Sequence, residues 1–490
     1  MRFRTIEYKW LVAAAFIVGI FMDVLDATVV NVALPTLGRE FHVGNSTLEW
    51  VVTGYLLSLA IWIPASGWIG DRFGTRKTFL FALAIFTFGS ALCGIAWNIE
   101  SLIAFRLLQG VGGGMLTPVG TAMLFRAFPP AERARASAVM GVPIVIAPAL
   151  GPVLGGWLVD TVGWRWIFFI NLPIGILGFL FTFVAIREHR EERAGRFDLW
   201  GFALSGAGLA LVLYALARGP NDGWSAANVL VAGVTGIACV VALIRVELRR
   251  KEPMLDLRLF RDRMFRNANL AGFMAIAGLI GLLFLLPLFL QQLRGLSALD
   301  SGLATFPQAL GLIAVTPLVS RMYPHIGPRR LMVAGLVFSA CTAALFLLVD
   351  LDTNLWWIRI LMFVRGIGFP IVFIPMQTAT FATIRPQDTG RASALFNAGR
   401  QVASSVGVAA LATTLVSRTK ARVAEAVAAT PGTQQATQHG ALLGFHDAFV
   451  ASVILAVIGA AFAFLIRDED AASTMVPHGA GEEASAVAVR

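Results

Sequence analysis

The chain has 490 residues, of which 57% are hydrophobic and 14% charged, and its mean hydropathy is +0.75. Ordinary soluble domains carry about a quarter of charged residues, so this composition excludes them and predicts a chain that folds in lipid. The net charge of +10 does not indicate nucleic-acid binding, because the basic residues lie at the ends of long apolar segments. There they orient the chain and contact anionic lipids.

In chain order, fourteen apolar segments are long enough to cross the ~30 Å hydrocarbon core of a bilayer. The predicted spans are 10–35, 47–66, 78–97, 101–124, 136–158, 165–186, 198–217, 227–246, 266–290, 300–320, 331–349, 355–380, 392–415 and 446–466. Lys and Arg concentrate in the segments that follow even-numbered spans. The positive-inside rule therefore predicts a multi-pass protein of the inner (plasma) membrane with both termini in the cytoplasm.

Three short motifs recur in the same order, displaced by about 255 residues, which is the pattern of an internal duplication. The matching pairs are residues 74–77 with 327–330, 109–110 with 365–366, and 135–138 with 391–394. Each match alone is weak, because the residue types are common. Three matches at a nearly constant displacement predict two homologous six-helix halves.

This duplication divides the chain into four parts. Residues 1–190 form an N-terminal six-helix bundle, and residues 264–467 form a C-terminal one. Residues 191–263 are two inserted transmembrane helices between basic linkers. We expect an external loop with one short helix at residues 417–445, and a disordered cytoplasmic tail at residues 468–490. The predicted fold is thus an all-α membrane protein.

Ionisable side chains inside the spans are candidates for function, because burying them in lipid is costly. Asp23 and Asp26 are three residues apart in span one and share a helix face. Two neighbouring carboxylates in a low dielectric are suited to proton exchange, although a structural role or a place in an aqueous vestibule is the alternative. Arg106 in span four must meet a carboxylate, carbonyl groups or water, unless it reaches the outer interface. Arg365 and Arg400, in spans twelve and thirteen, are candidates in the second half.

Other chemistry finds little support in the sequence. No Gly-Lys-Ser/Thr phosphate loop occurs, the six His lack metal-ligand spacing, and the three Cys lie far apart inside apolar segments. We therefore expect no catalytic residues, metal, cofactor or nucleic-acid partner. Span five is instead rich in residues that predict a kinked, closely packed helix, namely Pro148, Gly151, Pro152, Gly155 and Gly156.

Several segments resemble the fourteen-span drug:proton antiporter family of the major facilitator superfamily. These are residues 25–35 in span one, 67–77 in the loop after span two, Arg106 with Gln109-Gly110 in span four, 147–156 in span five and 164–173 at the start of span six. The resemblance implies the major-facilitator fold and assigns Asp26 and Arg106 to proton coupling or substrate binding. Asp23 lies outside the span-one motif, so its role rests on its spacing from Asp26.

The resemblance also implies a cytoplasmic gate and an antiporter motif. The gate residues are Gly67, Asp71, Arg72, Gly74, Arg76 and Lys77, and we expect Asp71 to form the latch with Arg72 and Arg76. The antiporter motif comprises the five Pro and Gly residues of span five named above, which exporters carry.

The resulting hypothesis is export of hydrophobic or cationic compounds in exchange for protons, by rocking of the two halves. An exporter of one metabolite, siderophore or lipid is the first alternative. A non-transporting membrane sensor or scaffold is the second, and it predicts a substantial soluble domain that the sequence lacks. The expected partners are small hydrophobic or cationic substrates, protons and membrane lipids. We expect a monomer, with a periplasmic adaptor left open for a host with two membranes.

Overall fold

The computed structural model describes residues 6–191, 195–250, 253–429 and 434–475. These residues are almost entirely helical, and no β-strand occurs among them. The helices are α1 (Tyr8–Phe41), α2 (Asn45–Phe73), α3 (Thr75–Gly94), α4 (Ile99–Ala127), α5 (Arg133–Thr161), α6 (Trp166–Phe169), α7 (Asn171–Ala185), α8 (Leu199–Asp222), α9 (Ala227–Arg249), α10 (Arg263–Leu288), α11 (Ala298–Thr305), α12 (Pro307–Ile326), α13 (Pro328–Leu345), α14 (Leu355–Ala382), α15 (Thr389–Ala429), α16 (Gln434–Ala463) and α17 (Ala472–Met475).

The number of spans agrees with the prediction from the sequence. Within the described residues, thirteen helical segments are long and apolar enough to cross a membrane, and α5 makes fourteen if its two bent parts form one span. The pairs α6–α7 and α11–α12 each make one span. The predicted all-α membrane fold is confirmed.

Equivalent contacts relate the helices before the inserted pair to those after it. Ser137, in the repeated motif of α5, hydrogen-bonds to Thr378 of α14 at 2.9 Å. Ser393, its counterpart in α15, donates to the carbonyl of Pro118 in α4 at 2.6 Å. Each half therefore contacts the other through the same motif. Both contacts lie towards the end of the bundle that carries Asp71, which we call the Asp71 end; the opposite end, which carries Trp224, is the Trp224 end.

The inserted helices α8 and α9 cover the junction between the halves on one side. α8 packs against α2 of the first half and α15 of the second. Gly206 of α8 lies against Ile61 of α2, and the indole Nε1 of Trp224 donates to Thr413 Oγ1 of α15 at 3.0 Å. α9 packs on α8 and leaves apolar side chains exposed on its outer surface.

The predicted external loop at residues 417–445 is wrong for its described part, which is helical. α15 continues to Ala429 and α16 begins at Gln434, so the two helices extend beyond their predicted ends as a hairpin. Two contacts hold the hairpin together. Arg422 donates to Asp447 at 3.0 Å, and Gly440 of α16 lies directly on the backbone of Val423. Residues 430–433 lie outside the described residues.

The predicted disordered tail is wrong for residues 468–475, which form a 3-10 turn followed by α17. Asp468 accepts a hydrogen bond from the backbone N–H of Arg329 at 2.9 Å, at the start of α13. Asp470 forms a salt bridge of 2.8 Å with Arg263. The acidic residues that suggested solvation therefore bind a helix N-terminus and a basic side chain. Residues 476–490 lie outside the described residues.

Candidate functional site

A buried ion pair joins α1 to α4. Asp26 and Arg106 are 1% and 0% exposed, and the guanidinium donates to the Asp26 carboxylate. Gln109, one turn further along α4, accepts from Arg106 at 2.8 Å and donates to Asp26 at 2.9 Å. Asn171 at the start of α7 donates to Asp26 at 3.0 Å. Three side chains thus donate hydrogen bonds to Asp26, which is the arrangement expected around a carboxylate.

The sequence analysis predicted that Arg106 would need such a partner, and the structure supplies several. Its Nε donates to the carbonyl of Val51 at 3.2 Å, and its guanidinium lies over the ring of Tyr55, 4.0 Å from the centroid. Glycines of α4 allow this close approach, because a Cβ at Gly110 would lie 2.8 Å from the carbonyl oxygen of Tyr55. The alternative of a residue that reaches the outer interface does not fit this burial.

Asp23 lies one turn before Asp26 and has different partners. It is half-buried and accepts hydrogen bonds from the hydroxyls of Tyr55 and Thr117, the latter at 3.3 Å. Hydroxyl groups can donate to a carboxylate or accept from a protonated carboxyl. Arg400 of α15, in the other half, interacts electrostatically with Asp23. The surroundings of Asp23 can therefore hold it in either protonation state, and one of its neighbours lies across the junction of the halves.

The Pro- and Gly-rich motif of span five packs against α1 beside this site. α5 bends by 41° between Pro148 and Val153. A Cβ at Gly151 would lie 2.4 Å from Thr28 Oγ1, and one at Gly155 would lie 3.2 Å from Val29. The bend and these two glycines bring α5 onto α1 about one turn from Asp26.

The remaining positions of this motif differ in their surroundings. A Cβ at Gly156 would meet no atom within 4 Å. The side chain of Pro152 is outside the part of the chain that the structure describes. The motif is therefore not uniform: Gly151 and Gly155 make the close contacts with α1.

Two of the predicted gate residues, Gly67 and Asp71, join the halves at the Asp71 end. A Cβ at Gly67 would lie 2.7 Å from the carbonyl oxygen of Gly390, in the first turn of α15. The Asp71 carboxylate lies against Gly390 and accepts from Arg126 of α4 at 2.9 Å. An anion at a helix N-terminus is favoured by the helix dipole and its unpaired N–H groups.

The other predicted gate residues stay within the first half. Gly74 has φ 101°, and the backbone N–H groups of Arg76 and Lys77 donate to Glu188 at 3.0 and 3.2 Å. The Arg76 side chain donates to the Phe183 carbonyl, and Arg72 is exposed. The expected pairing of Asp71 with Arg72 and Arg76 is therefore wrong. Arg126, which the sequence analysis did not assign, takes that place.

The two arginines predicted in the second half have separate surroundings. Arg400 interacts electrostatically with Asp23, as described above. Arg365 of α14 is 7% exposed and donates from Nη2 to the carbonyl of Leu279 in α10 at 2.9 Å. It thus points into its own half and does not join the Asp26–Arg106 centre.

Comparison with known proteins agrees with this architecture. The family model described as Major Facilitator Superfamily matches residues 16–408. The Multidrug resistance protein B homolog of Mycobacterium tuberculosis (strain ATCC 25618 / H37Rv) is 36% identical over 408 residues, covering 82% of this chain and 75% of that protein. The Fatty acid resistance protein FarB of Neisseria gonorrhoeae is 34% identical over 402 residues, covering 81% and 78%.

A solved structure is similar in fold. The human organic anion transporter MFSD10 (TETRAN) superposes with a TM-score of 0.66 at 17% identity, covering 93% of this chain and 99% of that one. At this identity the likeness concerns the fold alone. The family model spans most of the chain, and relatives above 30% identity are covered over most of their length. The chain belongs to the Major Facilitator Superfamily.

Proposed function

We propose that this chain exports chemically varied hydrophobic compounds in exchange for protons, by rocking of its two halves. The similarity to a protein named for multidrug resistance supports the export of drugs. The observation that carries the proton coupling is the contrast between two carboxylates one turn apart. Asp26 is enclosed by three hydrogen-bond donors, whereas Asp23 accepts from two hydroxyls and interacts electrostatically with Arg400.

In this mechanism Asp26 and Arg106 form a fixed pair, and Asp23 carries the proton. An ionised Asp23 attracts Arg400 across the junction and favours contact between the halves. A proton that arrives from the Trp224 end neutralises Asp23 and removes that attraction. The halves then separate at the Asp71 end, where substrate is bound and the proton is released. The joint made by Asp71, Arg126 and Gly390 is the latch that this movement opens.

We propose that the Asp71 end faces the cytoplasm of the inner (plasma) membrane, with both termini on that side. The distribution of Lys and Arg in the sequence supports this orientation. We further propose a monomer as the working unit, since one chain contains both halves of the carrier. A periplasmic adaptor stays a prediction for a host with two membranes.

The test is substrate-triggered proton flux in proteoliposomes with an imposed pH gradient. Lipophilic cations, neutral compounds and weak acids are each added to the wild type, Asp23→Asn, Asp26→Asn and Asp160→Asn. Asp160 is exposed at the end of α5 and serves as the matched control. We expect Asp23→Asn to abolish the flux while substrate–substrate exchange persists, and Asp160→Asn to behave as wild type.

Two outcomes would count against this mechanism. Full flux in Asp23→Asn would remove that residue from the coupling path. If only Asp26→Asn lost proton flux while keeping substrate exchange, Asp26 and not Asp23 would be the residue that carries the proton.

Export of a single metabolite, siderophore or lipid is the alternative, and the similarity to a protein named for fatty acid resistance supports its lipid version. A broad substrate panel separates the two hypotheses, because a dedicated carrier responds to one chemical class. A sensor or scaffold would produce no flux with any compound.

A further inference from the structure

Arg365 carries a permanent charge, and the described residues of the second half give it no acidic partner. Its Nε has no hydrogen-bond partner among the described residues, and its Nη2 donates only to a backbone carbonyl in that part of the chain. The sequences of α10, α13 and α14 contain no Asp or Glu, and Asp447, the one acidic residue of the neighbouring α16, is paired with Arg422. A buried guanidinium without a counter-charge is costly, and in a membrane such a residue marks a functional site.

A cavity of about 50 Å³ lies beside this side chain. Its wall is mostly apolar, with Leu336, Phe369 and Met376, and two hydroxyl residues, Ser339 and Ser452, also line it. The volume suits an ion or a carboxylate group rather than a whole drug. The described residues that line it include no acidic side chain. The cavity therefore presents one cation and two hydroxyls in an apolar surround, which is the chemistry that receives a carboxylate.

The first half shows what completes such a site. There the buried Arg106 meets Asp26, and the chain supplies its own carboxylate. In the second half, the residues that the structure describes supply no carboxylate to Arg365.

The wall of the cavity reaches the junction between the halves. The rings of Phe369 and Phe373 stack with centroids 4.9 Å apart. Both rings lie against Gly141 of α5, in the other half, at 3.6 and 3.4 Å from its Cβ position. The aromatic pair separates the Arg365 cavity from the junction, so a rocking movement that displaces α5 would uncover it.

We infer that Arg365 binds the carboxylate of amphipathic weak acids, with their apolar chain laid along Phe369 and Phe373. This rests on the proposed export function and names a substrate class for it. Lipophilic anions, rather than lipophilic cations, are then the compounds that the second half recognises.

The test measures equilibrium binding to the purified full-length protein in a non-ionic detergent, by thermal shift and by titration. The probes are decanoate, its uncharged analogue decanol, and acetate as a small anion. The variants are Arg365→Gln, Arg365→Lys as the conservative replacement, and Arg359→Gln as the matched control. Arg359 lies on the same helix towards its N-terminus, where its guanidinium stacks on Trp356 at 4.7 Å.

We expect decanoate to bind about 10- to 100-fold more weakly to Arg365→Gln, the range typical for losing a hydrogen bond between charged groups. Arg365→Lys should recover part of the affinity, and Arg359→Gln should bind as wild type. Equal binding of decanol and decanoate would overturn the inference. So would equal stabilisation by acetate and decanoate, which would make the cavity a small-anion site. Decanoate binding that is unchanged in Arg365→Gln would also overturn it.

Asp23→Asn separates this inference from the proposed function. That variant should lose proton flux yet bind decanoate as wild type, because Asp23 is not part of the cavity. If Arg365→Gln loses decanoate binding but keeps proton flux with neutral compounds, the result supports the Arg365 site without testing the coupling. If the wild type binds decanoate normally but shows no proton flux, only the proposed proton coupling is refuted.

Discussion

The joint at Gly67 offers a direct test of the latch, through Gly67→Ala. The new methyl group would lie 2.7 Å from the carbonyl oxygen of Gly390 and 3.0 Å from its carbon, whereas ordinary contact begins near 3.4 Å. Both contacted atoms are backbone, so α2 and α15 must move apart. Overpacking of this kind costs about 1–3 kcal/mol. Because the cost arises only where the halves touch, it should shift the population away from the closed Asp71 end by about 5- to 150-fold.

The assay is the spin-label distance between Arg135→Cys and Gln387→Cys, two exposed positions on opposite halves at the Asp71 end. The native cysteines are replaced by serine in this background. We expect a single short distance in the reference protein and a longer second population in Gly67→Ala. Gly399→Ala on α15 is the control, because a Cβ there meets no atom within 4 Å. An unchanged distribution in Gly67→Ala, or the same change in Gly399→Ala, would refute the reasoning.

Three further predictions concern packing and helix ends. Gly151→Val should lower efflux at least tenfold in a transport assay, because the new side chain clashes with α1. Gly156→Val should leave efflux unchanged, because that position is open. Equal effects of the two variants would contradict the role given to the contact between Gly151 and α1. Asp468→Ala should lower the free energy of unfolding by about 1 kcal/mol, the value of a helix N-cap, measured by thermal unfolding. Asn171→Leu should lower the free energy of unfolding by about 1–3 kcal/mol, because it removes a hydrogen-bond donor to the buried Asp26. Unchanged stability would contradict this prediction.

The features that the sequence predicted well are those with a large energetic cost. Lipid forces long apolar helices, so the number of spans could be read directly. The same cost made Asp26 and Arg106 visible, since buried charges need partners. Asn171 and Tyr55 were missed as partners because uncharged polar residues in a span carry a much weaker signal. Their roles depend on which helix faces meet, and periodicity in mostly apolar helices does not reveal that.

Errors arose where the partner lies far away in sequence. Arg72 is next to Asp71 in the chain, but successive helix residues are about 100° apart around the axis and do not face each other. Arg126 reaches Asp71 from another helix, 55 residues away. The tail was predicted to be disordered from its acidic composition, yet Asp468 binds the start of α13, 139 residues earlier. Local composition cannot report such pairs.

The placement of the inserted helices makes the transporter asymmetric towards the bilayer. α8 covers the junction of α2 with α15, whereas the opposite junction, where α5 packs on α12 and α14, is not covered by α8 or α9 in the described chain. In the described chain, the inserted helices therefore separate lipid from the α2–α15 junction but not from the α5–α12 junction. A compound already dissolved in the membrane would then approach the two halves from the side where α5 packs on α12. The added helices would thus decide from which side the carrier can draw hydrophobic compounds out of the bilayer.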